Sequence, residues 1–376
     1  MAKKRTIVLA GGGHTHALLL KKIQQSPLHN THIVLLSTTR YTPYSGMLPG
    51  VISGHYTAEQ AHIDLQQLAW DSGCDFIEGS VRQANPDTQT ITTNTSETIS
   101  YDILSINTGS TQSRLVEADH CLRIKPVHQF FHWLYREFPE RLNTYSTPFE
   151  LVVVGAGAAG IEVAIALKHR YKNKGVNVHI ASGGSILPGY PASIQRSVLN
   201  ELDKKNILIH RNFRATSVEA QHLISGSGEQ LHYDQLILAT PASPDLWPSE
   251  SQLTTDVHGF IVVNDCLQSL SHPNVFAVGD VATRASKELP KCGVMAVRQA
   301  PTLYANLRNS LSGAPLIPFR PQQHFLALLS CADGRAIASR GSFRAKGRLV
   351  WYWKDWIDKK FMHQFPLPEP GSFDYL

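Results

Sequence analysis

Two stretches of this sequence run an apolar strand straight into a glycine turn and then into a helix, and few chains can use that pattern twice. The first is IVLAGGGHTH, from Ile7 to His16, and the second is LVVVGAGAAG, from Leu151 to Gly160. Each leads into a helical pattern, from about Thr15 to Gln25 in the first, and then into a second apolar run, HIVLLS (His32 to Ser37) or VNVHIA (Val176 to Ala181). A strand–helix–strand unit of roughly thirty residues with near-continuous Val, Ile and Leu in its strands belongs to a buried parallel sheet. The expected fold class is therefore α/β with two Rossmann-like domains.

The glycines carry separate physical jobs. Gly155 permits the tight turn, Gly157 lets backbone approach a pyrophosphate, and Gly160 allows close packing of helix on strand. The helix start then offers unpaired N–H groups and a positive dipole end to phosphates. The competing reading is a glycine-rich packing turn with no ligand. An acidic residue about 20 positions on would hold ribose hydroxyls, but Ser182 and two glycines stand there. With neither that acid nor a neighbouring arginine in the sequence, the choice between NADH and NADPH stays open.

In the first turn Gly11 and Gly13 keep the first two places, but His16 replaces the third glycine. It is expected to hold helix and strand farther apart or to turn outward. Ser37 again occupies the acid position and Arg40 lies just beyond it; His14 and His16 both sit inside the turn, where at least one is expected to approach phosphates as a donor, simple packing being the alternative.

Further pieces match between the two halves. YDILSINTGS (Tyr101 to Ser110) is echoed by YDQLILATPAS (Tyr233 to Ser243). NVFAVGD ends an apolar strand on Gly279 and Asp280, which puts a carboxylate where open α/β sheets bind ligands; an aspartate capping a helix is the ordinary alternative. A helix is expected from Gly293 to about Leu311, then two short strands around ADGR and a tryptophan-rich basic segment.

Composition removes several classes. The 376 residues exceed one ordinary core and point to two or three domains. A formal charge of +5 is too small to call for nucleic acid and suits anionic cofactors or an anionic membrane surface. Five scattered cysteines with no C-x-x-C spacing argue against a disulfide framework or a cysteine zinc site and fit a reducing cytoplasmic setting. The eighteen histidines form no H-E-x-x-H or similar array, so no metal is expected. MAKKRTIVLAGGG reads as a first strand rather than a signal peptide.

Taken in order, GGGHTH, NTGS, GAGAAGIE, ATP and NVFAVGD resemble the pyridine nucleotide–disulfide oxidoreductase superfamily over nearly the whole chain. The resemblance implies a discontinuous FAD domain (1–112 and 264–318) with an NAD(P) domain (113–263) inserted in it. A small C-terminal α+β region (319–376) would form an interface. It also implies that Asp280 holds the ribityl chain and that Thr108 and Gly109 close over FAD. Glu162 would lie near the nicotinamide–flavin contact, and Gly293 and Val294 would open a helix facing the flavin. YTPYSGMLPG lacks the cysteine pair of disulfide reductases, so a dithiol relay is excluded. The likeness is nearest to the type II NADH dehydrogenase-like branch and, through YSGMLPG and YWKDWIDKKFM, to flavoproteins associated with bacterial selenide, water dikinase. Ala239–Thr240–Pro241 departs from the family's usual ATG.

The expected activity is transfer of hydride from NAD(P)H to FAD and of electrons to a non-thiol acceptor, a quinone being the leading candidate. The alternatives are oxidation of sulfide or selenide, with Cys121, Cys292 and Cys331 meeting in space, and a non-turnover flavoprotein. In VWYWKDWIDKKFMHQF, residues Trp353, Trp356, Ile357 and Lys360 or Phe361 share a helical face. That face either lies on a membrane or docks on the protein's own core or on a second copy. Localisation is then cytoplasmic or peripheral on a membrane's inner face.

Overall fold

The computed structural model describes residues 4–112, 121–145, 148–219 and 221–373. Its frame is two parallel five-stranded sheets. In the first, the order across the sheet is Val275–Ala277, Ile103–Ile106, Arg5–Ala10, Thr31–Ser37 and Asp75–Glu78, every neighbouring pair parallel. In the second it is Cys121–Arg123, Gln235–Leu238, Phe149–Val154, Val176–Ser182 and Ile207–Arg211, again all parallel. The central strands are buried on both faces, with Ile7, Val8 and Leu9, and Leu151, Val152 and Val153, fully covered, which is why their sequences show no polar alternation.

Because Val275–Ala277 returns to the edge of the first sheet beside Ile103–Ile106, the second sheet is inserted within the first fold. The return begins early: Trp247, Leu253 and Ile261 pack in one cluster with Val8 and Ala10. Residues 113–120, where the inserted unit was expected to begin, lie outside the described residues.

The echoed YD pairs have a common physical role. Asp102 accepts the N–H of Thr6 at 2.7 Å while its own N–H donates to the Thr6 carbonyl at 2.8 Å. Asp234 treats Glu150 in the same way, at 2.7 and 2.8 Å. In both sheets this aspartate satisfies the opening backbone of the central strand. A three-stranded antiparallel meander precedes it in each unit.

Helix α1 (His14–Gln25) and helix α2 (Ala158–Arg170) follow the two glycine turns. Helix α3 (Gly293–Ser312) packs along α1, and helix α4 (Arg348–Met362) closes the chain. Ahead of α4 stand three antiparallel strands, Ala327–Ser330, Ala336–Arg340 and Phe343–Gly347, one more than the sequence suggested. No helix among the described residues is long and apolar enough to cross a membrane.

Candidate functional site

In each sheet the strand order reverses beside the central strand, so a crevice opens at the carboxyl ends of that strand and its neighbour. In the first sheet these ends carry Gly11–Gly13 and Asn107–Gly109. Gly11 has φ +99, and a Cβ there would lie 2.5 Å from the Asn107 carbonyl, so only glycine fits. At Gly13 a Cβ would meet Asn107 Oδ1 at 2.4 Å. Asn107, which the sequence did not single out, ties the crevice together. Its Nδ2 donates to the Val278 carbonyl at 2.9 Å, and its Oδ1 accepts the His16 N–H at 3.3 Å.

His16 corrects the sequence expectation. It neither props the helix away nor turns outward: it is fully buried, with Nδ1 2.7 Å from the Gly11 carbonyl and Nε2 2.8 Å from Ser105 Oγ. Burial pushes its imidazole down to about 4, so the ring is neutral; Nδ1–H donates to the carbonyl and Nε2 accepts the Ser105 hydroxyl. The imidazole fills the place of the third glycine by bonding the turn it sits under. His14 faces the crevice beside Tyr44, and burial also takes it to about 4. Ser37 is buried and donates to the Thr39 carbonyl, while Arg40 is already engaged by Asp64 at 2.6 Å.

On the other side of this crevice, Gly279 has φ +71 and donates its N–H to Gln299 Oε1 at 2.6 Å. Asp280 Oδ2 lies 3.2 Å from Lys125 Nζ and 3.3 Å from Ser110 Oγ. Gly293 and Val294 form the first turn of α3, which has no side-chain cap and no acidic residue. An open, uncapped helix start facing a glycine cradle and a carboxylate fits the two ends of FAD, an anionic pyrophosphate and a ribityl hydroxyl chain. Gly11, Gly13, His14, Asp280, Gly293 and Val294 are the residues that would hold it, with exposed Thr108 and the turn at Gly109, φ +78, alongside.

The second crevice is built on Gly155, with φ +120 and a virtual Cβ 2.4 Å from the Ala239 carbonyl. At Gly160 a Cβ would lie 2.1 Å from the Gly155 carbonyl, so this glycine sets the approach of α2 to its strand. Gly157 differs: a Cβ there meets nothing within 4 Å, which leaves free space in front of the helix. Thr240 Oγ1, beside this turn, is buried with no partner among the described residues. An unsatisfied buried hydroxyl next to an open helix start fits a phosphate-bearing nucleotide.

Glu162 lies on α2, past its first turn. Its Oε1 accepts the Ser330 N–H at 2.7 Å. Burial pushes the carboxyl up to about 7, against the pull of Lys354 and the Ser330 amide. Lys354, on α4, donates to Asp358 and to the Gly46 carbonyl, both at 2.6 Å. Tyr44 stacks on Phe361, with ring centroids 4.3 Å apart, and the charge of Asp358 adds to the burial that raises its phenol. The tail helix thus places a buried ion pair between the YTPYSGMLPG loop and Glu162, an arrangement that helical periodicity does not reveal.

Of the three placements left open for the tail's tryptophan face, docking on the protein's own core is the one that the structure removes. Val350, Lys354, Asp358 and Met362 are buried, while Trp356 is 58% exposed and Leu349 84%. The Trp353–Trp356–Ile357 side faces outward. Burial raises the Cys121 thiol to about 11 and, with Glu201 and Asp333 adding to it, the Cys331 thiol to about 12. Cys292 precedes α3 without a side-chain hydrogen bond to it, and burial raises its thiol, with Asp280 adding to the shift. Thiols held protonated by burial are poor candidates for a sulfur relay.

Residues 5–300 match the family described as pyridine nucleotide-disulphide oxidoreductase. Among curated proteins, the chain is similar to the oxidoreductase ptaL of Pestalotiopsis fici, 26% identical over 92% of this chain and 94% of that one. It is also 26% identical to the assimilatory nitrate reductase electron transfer subunit of Bacillus subtilis, over 74% of this chain but only 36% of that protein's length. Among solved structures, NDH2 from Plasmodium falciparum in complex with NADH superposes with a TM-score of 0.81 at 15% identity. That match covers 96% of this chain and 97% of the other.

Proposed function

The chain belongs to the pyridine nucleotide-disulphide oxidoreductase family as an FAD- and NAD(P)H-dependent oxidoreductase, and from that premise we propose that it passes electrons to a non-thiol acceptor of the quinone type. Bound FAD supplies the redox chemistry, taking hydride from NAD(P)H and handing electrons on. The chain's own residues bind, orient and handle the proton.

The observation that carries the reading is Glu162, a half-buried carboxyl that desolvation raises to about 7 where α2, the Tyr44 loop and α4 meet. A quinone takes up protons with its electrons, so a group that holds a proton near neutrality suits it. A disulfide acceptor would need a second thiol pair, and the loop at Tyr44–Gly50 has no cysteine. Lys354 steadies Glu162 by charge, and Ser330 fixes its carboxylate through the backbone.

The outward face of α4 supports a peripheral membrane contact. Leu349, Tyr352, Trp353 and Trp356 are exposed together with Lys359 and Lys360, the combination that seats a helix at the headgroup level. A lipid-soluble quinone would then reach the site from the side that the tail covers.

The test is an anaerobic visible spectrum of the purified holoprotein, titrated with NADH or NADPH and then with a short-chain quinone or an aromatic disulfide. Bleaching by the nucleotide and recovery with quinone alone is the expected result. Recovery with the disulfide alone, or no bleaching with either nucleotide, would overturn the proposal.

A further inference from the structure

We propose that the chain selects NADPH over NADH, its specificity set by Ser182 and by two arginines, Arg211 and Arg214, that the fold brings to the same corner; this rests on reading Gly155–Gly160 as the nicotinamide cofactor turn.

In a unit of this kind the adenosine ribose reaches the carboxyl end of the second strand, here Val176–Ser182. A carboxylate there accepts from the 2′- and 3′-hydroxyls and repels a 2′-phosphate. This strand instead ends in Ser182, a buried residue whose hydroxyl donates to the Gly184 carbonyl at 2.9 Å. No acidic residue occurs between Ser182 and Tyr190. The repulsive element that would exclude NADPH is missing.

The attractive element comes from the next strand. Ser182 pairs in register with Arg211. The chain then turns through Asn212, at φ 58, and the Phe213 N–H donates back to the Ser182 carbonyl at 2.9 Å. That bond lays Arg214 against the loop: a Cβ on Gly183 would stand 3.2 Å from both Cα and Cβ of Arg214. A side chain at Gly183 would crowd the arginine by a few tenths of an ångström, and Gly184 beyond it is open, with nothing within 4 Å of a Cβ. Both arginines are exposed, and neither guanidinium has a hydrogen bond or ion pair among the described residues. Two free guanidiniums beside a strand end without an acid form a site for a dianionic phosphate, which they can meet in bidentate fashion.

The unpartnered Thr240 hydroxyl at the glycine turn is an independent sign that a nucleotide belongs in this crevice. Arg211 and Arg214 decide which one. The sequence hides this because the family's usual arginine follows the second strand directly, whereas here it arrives by way of the third.

The experiment compares 2′,5′-ADP with 5′-AMP, which differ only in the 2′-phosphate, by calorimetric binding to the FAD-loaded protein, beside kcat/KM for NADPH and NADH. The wild type should bind 2′,5′-ADP at least ten-fold more tightly. Arg214→Ala should remove about ten- to a hundred-fold of that preference, the effect of one charge-assisted contact, while leaving 5′-AMP affinity and thermal stability unchanged. Ser182→Glu should invert the preference. Equal affinity in the wild type, or an unchanged ratio in Arg214→Ala, overturns the inference while NADH-driven bleaching leaves the cofactor turn standing. Failure of both nucleotides to bind and of both coenzymes to bleach the flavin overturns the turn itself, and the inference with it.

Discussion

Replacing Gly157 by aspartate should remove nicotinamide binding from a protein that folds as well as before. Gly157 is the N-cap of α2 with φ −73 and ψ 177, an extended conformation open to any residue, and a side chain there meets nothing within 4 Å. Aspartate is a favoured N-cap, so the helix should gain a few tenths of a kcal/mol over glycine. The same carboxylate would stand in the space a pyrophosphate needs. One charge pair at about 4 Å is worth about 4 kcal/mol at an effective dielectric near 20. Even a third of that, after screening, weakens binding about ten-fold. The assay has three readings: melting temperature, flavin absorbance per protein, and the rate of anaerobic bleaching against coenzyme concentration. Stability and flavin content should hold while bleaching at low coenzyme falls ten-fold or more. An unchanged rate would refute the assignment of this turn. Gly160→Ala makes the contrast, because its Cβ would strike the Gly155 carbonyl at 2.1 Å and should lower the melting temperature itself.

Glu162→Gln should keep its flavin but slow turnover about a hundred-fold or more, the usual size of a lost acid–base group. The wild-type rate should fall as pH rises through about 7, where the half-buried carboxyl loses its proton, and the variant's profile should be flat; an inflection that survives in Glu162→Gln refutes the role. His16 and His62 are held neutral at about 4, below their ordinary 6.5, so their contribution is complete above 6.5 and is lost as pH falls toward 4. In the apoprotein each should cost about 3 kcal/mol over that window, measured by denaturant melts, and His16→Asn should flatten its share. Trp353→Ser with Trp356→Ser should abolish flotation with vesicles containing anionic lipid while leaving NADPH-driven bleaching intact; flotation equal to wild type would place the membrane contact elsewhere.

Much of the fold was legible in the chain because local chemistry dictates it. The apolar runs ending in Gly11 and Gly155 have to be buried parallel strands, and the glycines are required wherever backbone approaches backbone, as the contacts of Gly11 and Gly160 show. The YD pairs at Tyr101–Asp102 and Tyr233–Asp234 were visible as an echo, and their hydrogen bonds to Thr6 and Glu150 explain why the echo exists. The apolar strand leading into Gly279–Asp280 and a helix beginning at Gly293 were likewise legible in the residues themselves.

What the sequence left open depends on residues far apart in the chain. His16 breaks the glycine pattern, and only the positions of the Gly11 carbonyl and Ser105 turn the break into a bonded core residue. Helical periodicity in the tail pointed to the tryptophan face, because a pattern of polarity cannot see that Lys354 and Asp358 neutralise each other against the Gly46 carbonyl. Lys125 reaches Asp280 from another sheet, and Arg214 reaches Gly183 from another strand. Sequence by itself determined where backbone must turn and which strands must be buried, since those follow from sterics and solvation residue by residue. The pairing of charges was decided only by tertiary structure, since an ion pair is defined by distance in space, and the chain's order carries no record of it.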